Sequence, residues 1–165
     1  MTTDISPNTQ IYRVYIKTSP QAVWDAITDP QWQVRYGYRV ASEYDLRAGG
    51  TFLTRPSEEM KQFGVLDPMI DGEVLECDPP HRLVQTWRPH FSPEIVAEGA
   101  KRLTWEIAEV DEGVTQLTVI HELDGAPLTA AMVESPFAKE GAGGWNWILN
   151  DLKTLLEAGS SMHLS

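Results

Sequence analysis

The amino-acid sequence predicts an α+β fold, an antiparallel sheet of six or seven strands with one long C-terminal helix packed on it. Three observations predict it. Between Ile11 and Leu123 most segments alternate apolar and polar residues with the period of two that belongs to strands. The breaks between them are short and built of turn residues, as in Ala48-Gly49-Gly50, Asp78-Pro79-Pro80 and Asp111-Glu112-Gly113, and strands joined by tight turns pair antiparallel. The last segment changes period: Trp145, Ile148, Leu149, Leu152, Leu155 and Leu156 recur at helical spacing up to Gly159. A lone helix with one apolar stripe must bury that stripe against the sheet.

Each element has its own signal. Ile11–Lys17 sets Tyr12, Val14 and Ile16 against Arg13, Tyr15 and Lys17, a strand. Ser19-Pro20 opens a helix, serine as cap and proline in the first turn, and Asp29-Pro30 stops it. A short helix over Trp32–Tyr36 follows. Val40–Leu46 and Thr51–Arg55 form a hairpin, and Pro56–Met69 is a looser segment. Ile70–Cys77 and Leu83–Arg88 are strands, Pro89–Ala100 is a loop, and Arg102–Val110 pairs with Val114–Leu123 across the Asp111-Glu112-Gly113 turn. A short helix is predicted over Leu128–Val133. Residues 1–10 read as a flexible tail, 11–159 as one domain, and 160–165 as a frayed end.

Composition narrows the function. The 165 residues carry 24 acidic against 13 basic side chains, a net charge of −11. A surface that reads phosphates needs clustered Lys and Arg, so nucleic acid and anionic membranes are poor partners. No apolar run approaches the roughly 18–20 residues that spanning requires, and the polar N-terminus holds no apolar signal segment. The single cysteine, Cys77, forms no internal disulfide and has no basic neighbour before His81, an unreactive thiol. These features point to a cytoplasmic protein, and the expected assembly is a monomer or a homodimer. No His/Cys/carboxylate spacing suggests a metal, and no cofactor motif or nucleophile elbow is present, so no cofactor and no recognisable catalytic motif is predicted. Gly141, Gly143 and Gly144 lack the lysine and the preceding strand of a phosphate loop and read as a hinge.

The six tryptophans are the most informative residues. Trp87 is in phase with Leu83, Trp105 with Leu103 and Ile107, and Trp145 lies on the stripe of the last helix. Together with Phe52, Leu117, Val119 and Leu149 they form the candidate walls of an apolar cavity between sheet and helix, although each ring alone could simply fill the core. Met60, Phe63 and Phe91, on the looser segments, are candidate lid residues, or belong to loops packed permanently on the sheet's edge. His121, in phase with Leu117 and Val119, points inward. It either hydrogen-bonds a ligand, acts as an acid or base, or is a core histidine satisfied by a neighbour. His81 and His90 are expected to be exposed. Arg39, Arg55 and Arg88 lie near strand ends and read first as surface residues, with neutralising a ligand carboxylate at the cavity mouth as the alternative for one of them.

Four phrases carry a resemblance: SPQAVWDAITDP (Ser19–Pro30), YDLRAGGTF (Tyr44–Phe52), GEVLECDPPHRLVQTW (Gly72–Trp87) and GWNWILNDLKTLLE (Gly144–Glu157). In this order they resemble the helix-grip superfamily of START domains, birch-pollen-allergen-like proteins and polyketide cyclases. They are most similar to the family related to the activator of the heat-shock-protein-90 ATPase. The resemblance implies a curved sheet gripping the C-terminal helix on its concave face, two short helices after the first strand, and a cavity for a small hydrophobic or aromatic molecule. It carries over no catalytic residue, because the shared phrases are structural. Binding such a molecule, in a carrier, sequestration, stress or resistance role, is the leading expectation. A cyclase- or hydrolase-like enzyme using His121 and a module that modulates a chaperone ATPase are the alternatives.

Overall fold

The computed structural model describes residues 8–134 and 144–162. Seven strands form one antiparallel sheet in the order β1-β7-β6-β5-β4-β3-β2. They are β1 (Thr9–Ile16), β2 (Ser42–Tyr44), β3 (Thr51–Thr54), β4 (Ile70–Asp78), β5 (Arg82–Pro89), β6 (Lys101–Asp111) and β7 (Val114–Glu122). The helices are α1 (Pro20–Thr28), α2 (Pro30–Gln33), α3 (Glu58–Gln62), α4 (Pro93–Ala97), α5 (Pro127–Glu134) and α6 (Gly144–Ala158). The fold is the predicted α+β arrangement.

Local chemistry explains the boundaries. The Ser19 hydroxyl accepts the Ala22 N–H and begins α1. Asp29 ends α1 with its backbone N–H and accepts the Gln31 N–H with its side chain, so it also begins α2. The second helix therefore starts at Pro30, two residues before the predicted Trp32. Two stretches read as loops contain helices, α3 and α4, because Ser57 and Ser92 cap them by accepting the N–H groups of Met60 and Ile95. The predicted tail over residues 1–10 is too long, since Thr9 and Gln10 pair with Glu122 and His121 in β7. The predicted frayed end over 160–165 is corrected at residues 161 and 162, and residues 163–165 lie outside the described ones. Ser161 and Met162 hydrogen-bond the carboxylate of Asp151, which has no solvent exposure. The same carboxylate accepts the Gly37 N–H at 2.9 Å.

The inner face carries Ile16, Val74, Leu83, Leu103, Ile107, Leu117 and Val119, in one buried cluster with Val23, Trp24 and Ile27 of α1 and Leu149, Leu152 and Leu155 of α6. Gly72 in β4 is required by crowding. A Cβ there would lie 1.9 Å from the Thr86 carbonyl oxygen and 3.2 Å from the Phe52 ring. The missing side chain leaves room for the Phe52 ring beside the strand. The outer face carries ion pairs such as Arg82 with Glu76 and Glu106 and Arg102 with Glu122, exposed contacts worth about 0–1 kcal/mol each.

Candidate functional site

Between the β2–β5 side of the inner face and helices α5 and α6 lies a cavity of about 590 Å³, within the range of small-molecule sites. Phe52, Trp87, Leu103 and Trp105 form its sheet wall, and Trp145 and Ile148 of α6 face them with Met132 and Val133 of α5. Of its lining residues Arg39 and Phe91 are exposed and mark its rim, while Tyr38, Val40, Met60, Val65 and Ile95 are half-buried. The N-terminus of α6 closes on α5 through Gly144. This residue has a φ of +60° and is so close to Val133 that a Cβ would lie 1.9 Å from its carbonyl oxygen. Gly144 is thus buried and wedged rather than a hinge, while Gly141 and Gly143 lie outside the described residues.

Of the residues predicted for this site, Phe52, Trp87, Trp105 and Trp145 line the cavity, as do Met60 and Phe91. Leu117, Val119, His121 and Leu149 do not. They are at most 1% exposed and sit in the solid part of the core. Their phase on the inner face is right, but β7 is covered directly by side chains of α6, and periodicity carries no information about which strands a helix covers. Phe63 is also not in the lining; it is 82% exposed, at the C-terminal end of α3.

His121 belongs to an aromatic cluster behind the cavity wall. The Trp145 indole Nε1–H donates to its Nδ1 at 3.1 Å. The Trp87 ring meets it nearly perpendicular at 5.1 Å, and Trp105 meets Trp145 in the same manner at 5.5 Å. Burial alone pushes the imidazole pKa down to about 3, so the ring is neutral at pH 7 and holds Trp145 in place. The Nε2 atom finds no hydrogen-bond partner among the described residues.

The polar centre of the wall is Gln85, fully buried and in phase with Leu83 and Trp87. Its carboxamide oxygen accepts the Tyr44 hydroxyl at 2.7 Å and the Trp105 indole N–H at 3.1 Å. Burial, followed by the neighbouring Tyr36, drives the Tyr44 phenol well above its ordinary value. Tyr36 donates to the Ala26 carbonyl at 2.8 Å, and its phenol is raised by burial and then by Asp151. Gln33 donates to the Ile27 carbonyl and accepts the Ser42 N–H, while the Ser42 and Thr54 hydroxyls pair at 2.8 Å. The buried polar lining groups are therefore bonded to the protein, the exposed Arg39 guanidinium is not bonded among the described residues, and the cavity presents mainly rings and aliphatic chains.

The other candidate residues lie elsewhere. Arg88 makes two hydrogen bonds to Asp71, and His90 Nε2 lies 2.9 Å from the same carboxylate, so His90 is half-buried and bonded rather than exposed. The Arg88 hydrogen bond, reinforced by His90, holds the Asp71 carboxyl below its ordinary range against the opposing effect of burial. Arg55 is paired with Glu43 and Asp67. Cys77 is half-buried, and burial raises its thiol pKa, as an unreactive thiol requires. Among the described residues no group of three His, Cys, Asp or Glu could hold a metal ion, and no helix is long and apolar enough to cross a membrane.

Residues 17–157 match the family described as Activator of Hsp90 ATPase homolog 1-like protein. The chain belongs to this family. Its fold is also that of an HSP90 activator from Plasmodium falciparum, at a TM-score of 0.63 and 22% identity over 90% of this chain and 95% of that one. CalU16 from Micromonospora echinospora superimposes at 0.63 with 21% identity, over 93% of this chain and 77% of that one. The Aha1 dimer from Colwellia psychrerythraea gives 0.61 and 16%, over 92% and 97%. At these identities the likeness is one of fold. No curated protein matches the chain.

Proposed function

We propose that the protein binds a small apolar or aromatic molecule in the cavity under α6, as a carrier or sequestering protein. One observation carries this reading: about 590 Å³ of space is walled by Phe52, Trp87, Trp105, Trp145 and Ile148, and the buried polar groups around it are bonded internally. Burying ligand surface there contributes about 25 cal/mol per Å² without stranding a polar group of the protein. His121, on which an enzymatic reading would rest, is neutral, engaged with Trp145 and outside the lining, which supports binding over acid–base catalysis.

The test uses N-phenyl-1-naphthylamine, a neutral aromatic fluorophore. At about a hundred times its Kd it should stabilise the fold by about 2.7 kcal/mol, or roughly 5–10 °C in Tm, and its emission should rise on binding. Native mass spectrometry of the protein as purified should show a retained small molecule. Absence of both effects would overturn the reading. Family membership and the HSP90-activator neighbour support a second reading, modulation of a chaperone ATPase. Adding the chain to an HSP90 ATPase assay tests it, and an unchanged rate argues against it.

A further inference from the structure

The cavity lining holds one charged residue among the described residues, Arg39. Every other arginine on this side of the molecule is occupied. Arg55 pairs with Glu43 and Asp67, Arg88 with Asp71, Arg47 with Asp45, and the Arg35 guanidinium lies 4.7 Å over the Trp32 ring. Arg39 is exposed, and among the described residues its guanidinium has neither an ion pair nor a hydrogen bond. The residue is also held in an unusual backbone conformation, φ 57°, the single non-glycine residue with positive φ among those described. That conformation is disfavoured for an L-residue. Two bonds fix the segment there: the Arg39 N–H donates to the Tyr36 carbonyl at 3.0 Å, and the Gly37 N–H donates to the buried Asp151.

A cation on the rim of an apolar chamber, with no carboxylate in the described lining, suits a ligand of matching polarity. We infer that Arg39 selects amphipathic monoanions, molecules with an apolar body in the cavity and a carboxylate- or sulfonate-type group at the Arg39 side of the rim. The inference rests on the binding function proposed above and adds the chemical class of the ligand. The overall charge sharpens it. A chain of net charge −11 repels anions in general, so any preference for an anion has to come from a local cation.

Two probes of one skeleton test it: 8-anilinonaphthalene-1-sulfonate, an anion, and N-phenyl-1-naphthylamine, its neutral counterpart. The Arg39→Asn variant removes the charge while supplying a residue that tolerates positive φ, and its thermal melt checks that the fold is retained. The sulfonate should lose about fivefold in affinity in this variant, with the neutral probe unchanged. Arg39→Lys should keep the sulfonate within about twofold of the wild-type affinity. Raising salt from about 0.05 M to about 0.5 M should weaken the sulfonate in the wild type but not in Arg39→Asn. If both probes bind the wild type, displace one another, and respond equally or not at all to Arg39→Asn, the selection by Arg39 is overturned and the apolar site stands. If neither probe binds the wild type, the binding function falls and this inference falls with it.

Discussion

The inner face of the sheet has two halves built from the same materials to opposite effect. On the β1-β7-β6 side, strands of 8, 9 and 11 residues meet α1 and the stripe of α6, and Leu117, Val119, His121 and Leu149 are packed to 1% exposure or less. On the β2-β3 side the strands have 3 and 4 residues, among the helices β2 meets chiefly α1 and the four-residue α2, and the short α3 and α4 bury no residue. Large rings reach into that half from both walls, but no stripe fills the space between them. Strand length and the reach of the covering helix therefore decide where the sheet is a core and where it is a container.

The largest effect should come from breaking the joint between the two halves. Trp145 bonds His121 and touches the rings of Trp87 and Trp105, so Trp145→Ala should cost about 3–5 kcal/mol, read by urea denaturation. Met60→Ala on the rim should cost well under about 1 kcal/mol in the same experiment, since a half-exposed side chain gives up little burial.

Next comes acid. The His121 pKa is about 3 in the folded protein against 6.5 for a free histidine. Below pH 6.5 the unfolded chain takes up a proton that the folded chain refuses. This contribution to stability is intact above 6.5 and is lost as pH falls toward about 3, at up to about 1.4 kcal/mol per pH unit. His121→Gln keeps an acceptor for Trp145 but removes the titration. Its stability between pH 6.5 and 4.5 should fall less steeply than the wild type's by about that slope, and parallel pH profiles would contradict the assignment.

Gln85→Leu should cost about 2 kcal/mol, because it leaves the Tyr44 hydroxyl and the Trp105 indole without an acceptor. Smallest in stability is Ile148→Phe, which enlarges a cavity-lining residue on the open half. It should move the melt by less than about 1 kcal/mol while weakening the neutral fluorophore severalfold, and unchanged affinity would place the probe elsewhere.

The difference between the halves also marks what the sequence discloses. Alternation sets the inward phase of Trp87, Trp105 and His121 alike, yet only the first two reach the cavity, because phase defines a face and not a position across the sheet. Helix caps were legible and partly overlooked: Ser57 and Ser92 precede acidic or proline-led turns just as Ser19 does, but the short, mixed segments after them read as loops. Gln85 sits between Leu83 and Trp87 in phase, and Asp151 lies three residues after Ile148 and four before Leu155 on the α6 stripe. Both signals were visible as polar residues at apolar positions. Their partners, Tyr44, Trp105, Gly37 and Ser161, are distant in the chain and come together only when the sheet closes on the helix.

The Asp151 carboxylate has a consequence for which edge of the chamber is held more firmly. By holding Gly37, Ser161 and Met162 at once, it moors the Arg39 edge of the chamber to the longest helix and to the end of the described chain. The opposite edge is tied down on the solvent side, where Asp67 meets Arg55 at 2.8 Å and Lys61 at 3.5 Å, attachments that salt and water loosen. Hydrogen exchange should therefore be faster at α3 than at Gly37. The measurement ranks the two attachments directly: equal exchange at α3 and at Gly37 would mean that the exposed ion pairs hold as firmly as the buried carboxylate.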